Sequence, residues 1–149
     1  VEIVRTLVAP CEPSDLFHFV DDLAAYEAWM PLIHDVEVDP EASTDDGPAW
    51  SVELRAQIGP FARSKRLRMV RAVHDPHRVA KFERAERDGR RHADWTLLAE
   101  LEPGDGGTEL TMTLRYGGSL WSGAVLQRVL DDQVDEGSRN LLDLVRSIP

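Results

Sequence analysis

Apolar positions along this chain follow two rhythms. Val1 to Ala9 is a β-branched-rich run that predicts a strand, closed by Pro10 and a turn around Pro13. Leu16, Phe17 and Val20 then share the face of a short helix, with Ser14 as its expected N-cap. Asp21 or Asp22 opens a second short helix through Leu23, Tyr26 and Met30, which Pro31 ends. From about His34 the period changes to two. Trp50, Val52, Leu54, Ala56 and Ile58 alternate with Ser51, Glu53, Arg55 and Gln57, the pattern of a half-buried strand. The same alternation returns in Ala93, Trp95, Leu97, Ala99 and Leu101, and again in Leu110, Met112, Leu114 and Tyr116. Between them lie Leu67, Met69 and Val73, then Ala80 and Phe82. Turns are marked by Gly59-Pro60, Asp75-Pro76, Asp88-Gly89 and the run Pro103 to Gly107. Five strands joined by short turns make an antiparallel meander with one apolar and one charged face.

That apolar face needs a partner, and the C-terminal segment supplies it. Leu126, Leu130, Val134, Gly137, Leu141 and Val145 recur at helical spacing, with Ser119 as the expected N-cap. A helix over about residues 120–147 is roughly 40 Å long, enough to cross the whole sheet. No repeat or low-complexity tract interrupts the pattern, and the acidic stretch 39–48 reads as an exposed loop.

Composition narrows the function classes. At 149 residues the chain is the size of one domain, and a single domain over 1–149 is expected. Its 17 Lys and Arg stand against 27 Asp and Glu, and a net charge of −10 repels phosphate backbones and anionic lipid heads. No nucleic-acid partner is expected. A lone cysteine, Cys11, excludes an internal disulfide, and no apolar run approaches the roughly 20 residues of a transmembrane helix. The opening VEIVRTLVAP reads as a strand rather than a signal peptide, so a cytoplasmic location is the default.

The order strand, two short helices, further strands, long helix resembles the START-like superfamily of helix-grip proteins. Its members include the major birch-pollen allergen and the polyketide cyclase/dehydrase and lipid transport family. The resemblance is carried by the opening strand into Ala9-Pro10 and by Phe19-Val20-Asp21-Asp22 with Tyr26 to Pro31. The Glu37 strand and Gly117-Gly118 before the long helix complete it. It implies an α+β helix-grip fold: a curved antiparallel sheet of about seven strands, two short helices after the first, and one long C-terminal helix.

Such a sheet, twisted around a straight helix, cannot touch it along its whole length, and the gap is a candidate ligand cavity. Trp50, Met69, Phe82, Trp95, Met112 and Tyr116 are the expected inward groups, together with Leu54 on the sheet and Leu126 and Leu130 on the helix. Gly137 falls on the apolar seam of that helix, where a missing side chain leaves room for a ligand or lets the sheet approach. In the family the short helices flank the cavity mouth. By that resemblance Tyr26, Trp29 and Met30 form a plug at the mouth, or a staple holding the helix pair to the core.

The candidate chemistry is sparse. His74 and His77 have a spacing compatible with metal ligation, but Asp75-Pro76 places them in a turn with no third ligand beside them, and no metal is expected. Cys11 lacks an activating cation in sequence, and neither a GxSxG nor a Gly-rich phosphate loop is present. Arg71 and Arg84 share strand parity with inward residues and are candidates for the cavity, where each needs a carboxylate partner or an anionic ligand. Arg63, Lys65, Arg66 and Arg68 form a local basic stripe able to meet anionic partners, read first as the outer face of a strand. The leading expectation is binding of a small hydrophobic or aromatic ligand, lipid-like or polyketide-like, without a metal or organic cofactor, by a monomer or homodimer. Two rivals come with the resemblance. One is a polyketide aromatase/cyclase or dehydratase, which requires polar groups converging around Arg71, Arg84 or Tyr116. The other is a quinone-binding or ribosome-associated interaction module, echoed by Asp22, Tyr26 and Trp29.

Overall fold

A computed structural model describes residues 1–40, 47–118 and 123–148. The elements run β1 (Glu2–Ala9), α1 (Pro13–Phe17), α2 (Leu23–Tyr26), β2 (Ile33–Val38), β3 (Ala49–Ile58), β4 (Phe61–Asp75), β5 (Val79–Arg84), β6 (Trp95–Gly104), β7 (Gly107–Tyr116) and α3 (Gly123–Arg146). The seven strands form one curved antiparallel sheet in the order β1-β7-β6-β5-β4-β3-β2, with α3 packed against β1 and β3. This is the helix-grip architecture that the alternating pattern and the long terminal helix imply. Ser119 and most of the acidic stretch lie outside the described residues.

Period-two patterning sets the two faces. Along β6 and β7, Trp95, Leu97, Ala99 and Leu101 pair in register with Tyr116, Leu114, Met112 and Leu110, and all eight are buried. β1 continues the same face through Ile3↔Leu114 and Leu7↔Leu110. Gly107 makes the β6–β7 turn possible: its φ is +132°, and a Cβ there would overlap the Ala9 carbonyl.

Two helix starts differ from expectation or sharpen it. α1 is capped at Glu12 rather than Ser14, with Pro13 in its first turn, where the ring's fixed φ suits a helix and the missing N–H costs nothing. α2 is capped by Asp22, whose carboxylate accepts from Ala24 N at 2.8 Å. The helix ends at Tyr26, one turn before Met30, and single turns carry the chain on to Pro31.

α3 is held across the β1 edge by a charge cluster. Arg5 shares the inner face with Ile3 and Leu7, and its guanidinium donates to Asp131 and Asp135, one helical turn apart, at 2.7 Å each. These groups are about a third exposed, so solvent weakens the pairing. Arg5→Ala is expected to lower stability by about 1 kcal/mol, with the difference from the parent shrinking in 1 M salt. Urea unfolding at low and high salt measures it.

Candidate functional site

Between the sheet and α3 lie two linked chambers. The inner one, about 40 Å³, is bordered almost wholly by carbon: Ile3, Leu23, Ile33, Val52, Leu67, Leu97, Leu114 and Val134, with Met30, Met69 and Met112. Those are all three methionines of the chain. Their unbranched side chains can shift without breaking a polar contact, so this wall is deformable. The outer chamber, about 220 Å³, is bordered by Ala56, Tyr116, Leu126 and Leu130 and by the exposed Arg55, Arg63 and Ser64, so it opens to solvent beside the β3–β4 turn. Leu32, Leu54 and Trp95 border both chambers and form the neck between them.

Trp95 is the polar landmark of this neck. Its ring lies 4.5 Å from that of its cross-strand neighbour Tyr116, and its Nε1 is buried with no hydrogen-bond partner among the described residues. An unpaired buried donor costs about 1–3 kcal/mol. Gly118 matters here because a Cβ would collide with the Tyr116 hydroxyl.

Strand parity brings a second polar feature to the opening, where the expected outward stripe of cations does not hold. Lys65 pairs with Leu54 and Arg63 with Ala56, so both share the inner face with Leu67 and Met69 and border the outer chamber. Arg66 and Arg68 point the opposite way. Arg66 donates to Asp35 at 2.8 Å and Arg68 to Asp39 at 2.7 Å. The basic stripe is therefore divided between the two faces. Burial, then the charge of Arg84, hold the Lys65 ammonium below its ordinary range, with Glu86 opposing.

The structure sorts the expected ligand contacts into two groups. Leu54, Met69, Trp95, Met112, Tyr116, Leu126 and Leu130 border the chambers. Trp29, Trp50, Arg71, Phe82, Arg84 and Gly137 do not. Trp50 and Phe82 face inward but are consumed by aromatic packing: Trp50 lies 5.6 Å from Phe82, Phe82 5.9 Å from Tyr26, and Tyr26 4.8 Å from Trp29. This chain of rings seals one side of the core. Within it the Tyr26 hydroxyl donates to the Val20 carbonyl at 3.0 Å, and the Trp29 indole to Phe19 at 3.1 Å. Burial, and secondarily the charge of Asp21, push the Tyr26 phenol far above its ordinary value, so it stays neutral.

The helix-end aromatics are thus an inner wall and not a plug at the mouth: only Met30 of the three borders a chamber, and the opening lies elsewhere. Gly137 is likewise no ligand clearance. A Cβ on it would lie 2.9 Å from Met30 Sδ and 3.4 Å from the Trp29 carbonyl oxygen, so the missing side chain admits the helix-end segment itself. Asn140 completes that seam by donating to the Trp29 carbonyl at 3.1 Å.

The two candidate cavity arginines are engaged by protein groups. Arg71 donates to the Asp21 carbonyl at 2.9 Å, just before a register shift in β4. Arg84 is nearly buried and finds the carboxylate such a position requires in Glu86, at 2.9 Å, and it also donates to the Ala93 carbonyl at 3.3 Å. His74, in the last residues of β4 rather than in the expected turn, and His77, in the turn that follows, stand 5.5 and 5.8 Å from the Phe17 ring, and His74 Nε2 is 3.8 Å from Asp21 Oδ2. Cys11 is partly buried, and its thiol is pushed up by that burial and by Asp15, which disfavours a nucleophilic thiolate. Among the described residues no helix is long and apolar enough to cross a membrane.

Comparison with known proteins agrees with this geometry. The fold is similar to that of TTHA0849 from Thermus thermophilus, at 16% identity and a TM-score of 0.76 over 99% of this chain and 98% of that one. It is also similar to the Zhui aromatase/cyclase from Streptomyces sp. R1128, at 12% identity and a TM-score of 0.70 over 98% and 93%. Ara h 8.0201 gives 16% identity and a TM-score of 0.62 over 99% of both chains. No curated protein matches the sequence. Residues 1–146, nearly the entire chain, match the family described as polyketide cyclase/dehydrase and lipid transport, and to that family the chain belongs.

Proposed function

We propose that the chain binds one small apolar or aromatic molecule, lipid-like or polyketide-like, in the linked chambers between sheet and α3, with no metal or organic cofactor. The observation that carries this reading is the apolar space itself: two adjacent chambers between sheet and α3 that share Leu32, Leu54 and Trp95 on their walls. Together the chambers fall short of the roughly 300–1,000 Å³ of a drug-sized site. The occupant is therefore compact, and the three methionines supply what give there is. Binding is favoured over cyclisation because Arg71 and Arg84, the groups that would steer a reactive chain, are turned to protein partners.

The test uses N-phenyl-1-naphthylamine, an uncharged dye that brightens in apolar surroundings. It is expected to bind the parent protein. Leu126→Trp, which adds bulk at a half-buried position bordering the outer chamber, should weaken that binding at least tenfold, about 1.4 kcal/mol. Glu100→Ala, on the charged outer face, should not change it. No dye binding, or equal binding by both variants, overturns the reading.

A further inference from the structure

The two chambers are successive stations on one path, because the elements that wall them run through both in the same order. Along α3, Leu126 and Leu130 border the outer chamber and Val134, one turn on, the inner. Along β3, Ala56 borders the outer chamber, Leu54 both and Val52 the inner, and β7 repeats the order from Tyr116 to Met112. Burial deepens the same way, from half-buried Ala56 and Leu126 to Val52 and Val134 at 1% and 2% exposure. The next inward positions, Trp50, Leu110 and Gly137, border neither chamber, so the path is blind. From mouth to blind end it is about 12 Å, eight helix residues at about 1.5 Å each, and four strand residues at about 3.3 Å give nearly the same. Its stations differ in width. A dry apolar cavity of about 150 Å³ holds one benzene ring. The outer chamber, about 220 Å³, exceeds that and the inner one, about 40 Å³, falls far short of it.

Resting on the binding function above, we propose that the occupant is a single ring with a polar group at one end and one short unbranched alkyl arm at the other. The ring lies in the outer chamber, and the arm passes Leu32, Leu54 and Trp95 into the inner chamber, whose blind end limits its length. Only the outer station is wide enough for a ring, and there the paired rings of Trp95 and Tyr116 offer it an aromatic wall. The polar group stays at the mouth, where water and the exposed Ser64 can reach it, because burying it unpaired against the carbon wall of the inner chamber is costly. The arm is linear because the inner chamber is narrow, and the side chains of Met30, Met69 and Met112 shift to accommodate a flexible chain. Val134 and Met69, which border the inner chamber alone, therefore set the arm length accepted.

The probes are the 4-alkylphenols from 4-methylphenol to 4-heptylphenol, measured by titration calorimetry at pH 7. Affinity of the parent should rise about fourfold with each methylene that enters the inner chamber and then level off before the heptyl member. 4-tert-Butylphenol, equal in carbon count to 4-butylphenol, should bind at least fivefold more weakly than the linear isomer. Val134→Phe, which fills the inner chamber, should cost the long-armed members at least tenfold more than 4-methylphenol. Met69→Ala, which enlarges it, should move the levelling to longer arms, and Glu100→Ala on the outer face should leave the whole series unchanged. Thermal melts of each variant verify folding, and Met69→Ala decides if Val134→Phe does not fold. Affinity that is independent of arm length, that rises unbroken to 4-heptylphenol, or that levels at the same member in both variants overturns the proposal. So does failure of the phenols where N-phenyl-1-naphthylamine still binds, and in each of these cases dye binding leaves the cavity reading standing. Failure of the phenols and the dye alike overturns the cavity reading itself.

Discussion

Trp29→Ala is expected to lower the stability of this protein by about 3–5 kcal/mol, the range for deleting a large buried aromatic. The indole is 1% exposed, packs on Tyr26 at 4.8 Å, and donates its N–H to the Phe19 carbonyl at 3.1 Å. Truncation removes those contacts, opens a cavity between α2 and α3, and leaves the Phe19 carbonyl without its donor. A typical domain is stable by only about 5–15 kcal/mol, so the loss is a large share of the whole. Chemical denaturation of parent and variant gives the figure. Since Trp29 borders neither chamber, the fraction that remains folded should bind N-phenyl-1-naphthylamine as the parent does. A variant of parental stability would show that this ring does not anchor the helix end.

The second large effect belongs to Gly137→Leu, expected to cost about 1–3 kcal/mol through overpacking. Even a Cβ there comes within 2.9 Å of Met30 Sδ, and Met30 is itself 3% exposed and bounded by the inner chamber on its other side. The leucine displaces Met30 toward that chamber and presses on the Trp29 carbonyl, which Asn140 holds from α3. Gly137→Ala offers a graded control. The roughly 1 kcal/mol of helix propensity gained over glycine offsets the smaller intrusion, so its melting temperature should stay near the parent's. A leucine variant as stable as the parent would mean that the seam has room the geometry denies.

These two positions illustrate which layers of the structure are legible in sequence. Element order and the inner face of each strand follow from period, because alternate residues in a strand must point to opposite sides. Period says nothing about what lies across the gap. Trp50 and Phe82 face inward as expected, yet the space before them is filled by Tyr26, a residue from a helix whose docking position no strand pattern encodes. Gly137 falls on the apolar seam of α3 as its spacing predicts, but whether a ligand or Met30 occupies its notch depends on where the α2 segment packs. Lys65 and Arg63 are a different kind of miss. Their parity with Leu67 and Met69 is present in the sequence, and grouping neighbouring cations into one stripe hides it, as though a strand had a single face. The unpaired Trp95 N–H has no sequence signature at all, since it is defined by the absence of a neighbour in space.

The place of β1 in the sheet has a consequence for the order in which the chain assembles. β2 through β7 pair with neighbours in sequence, and each hairpin closes only a short loop. β1 pairs with β7 across the chain, and the amino group of Val1 meets the Tyr116 carbonyl 115 positions away. Loop entropy makes this the costliest strand pairing of the sheet to close, so the meander is expected to lead and β1 to dock onto it late. Ile3 of that late strand is part of the inner chamber wall. The chamber is therefore complete only once the last strand is in place. A molecule inside it selects the fully assembled chain over every intermediate and lends its binding free energy to the edge that the backbone finds hardest to close.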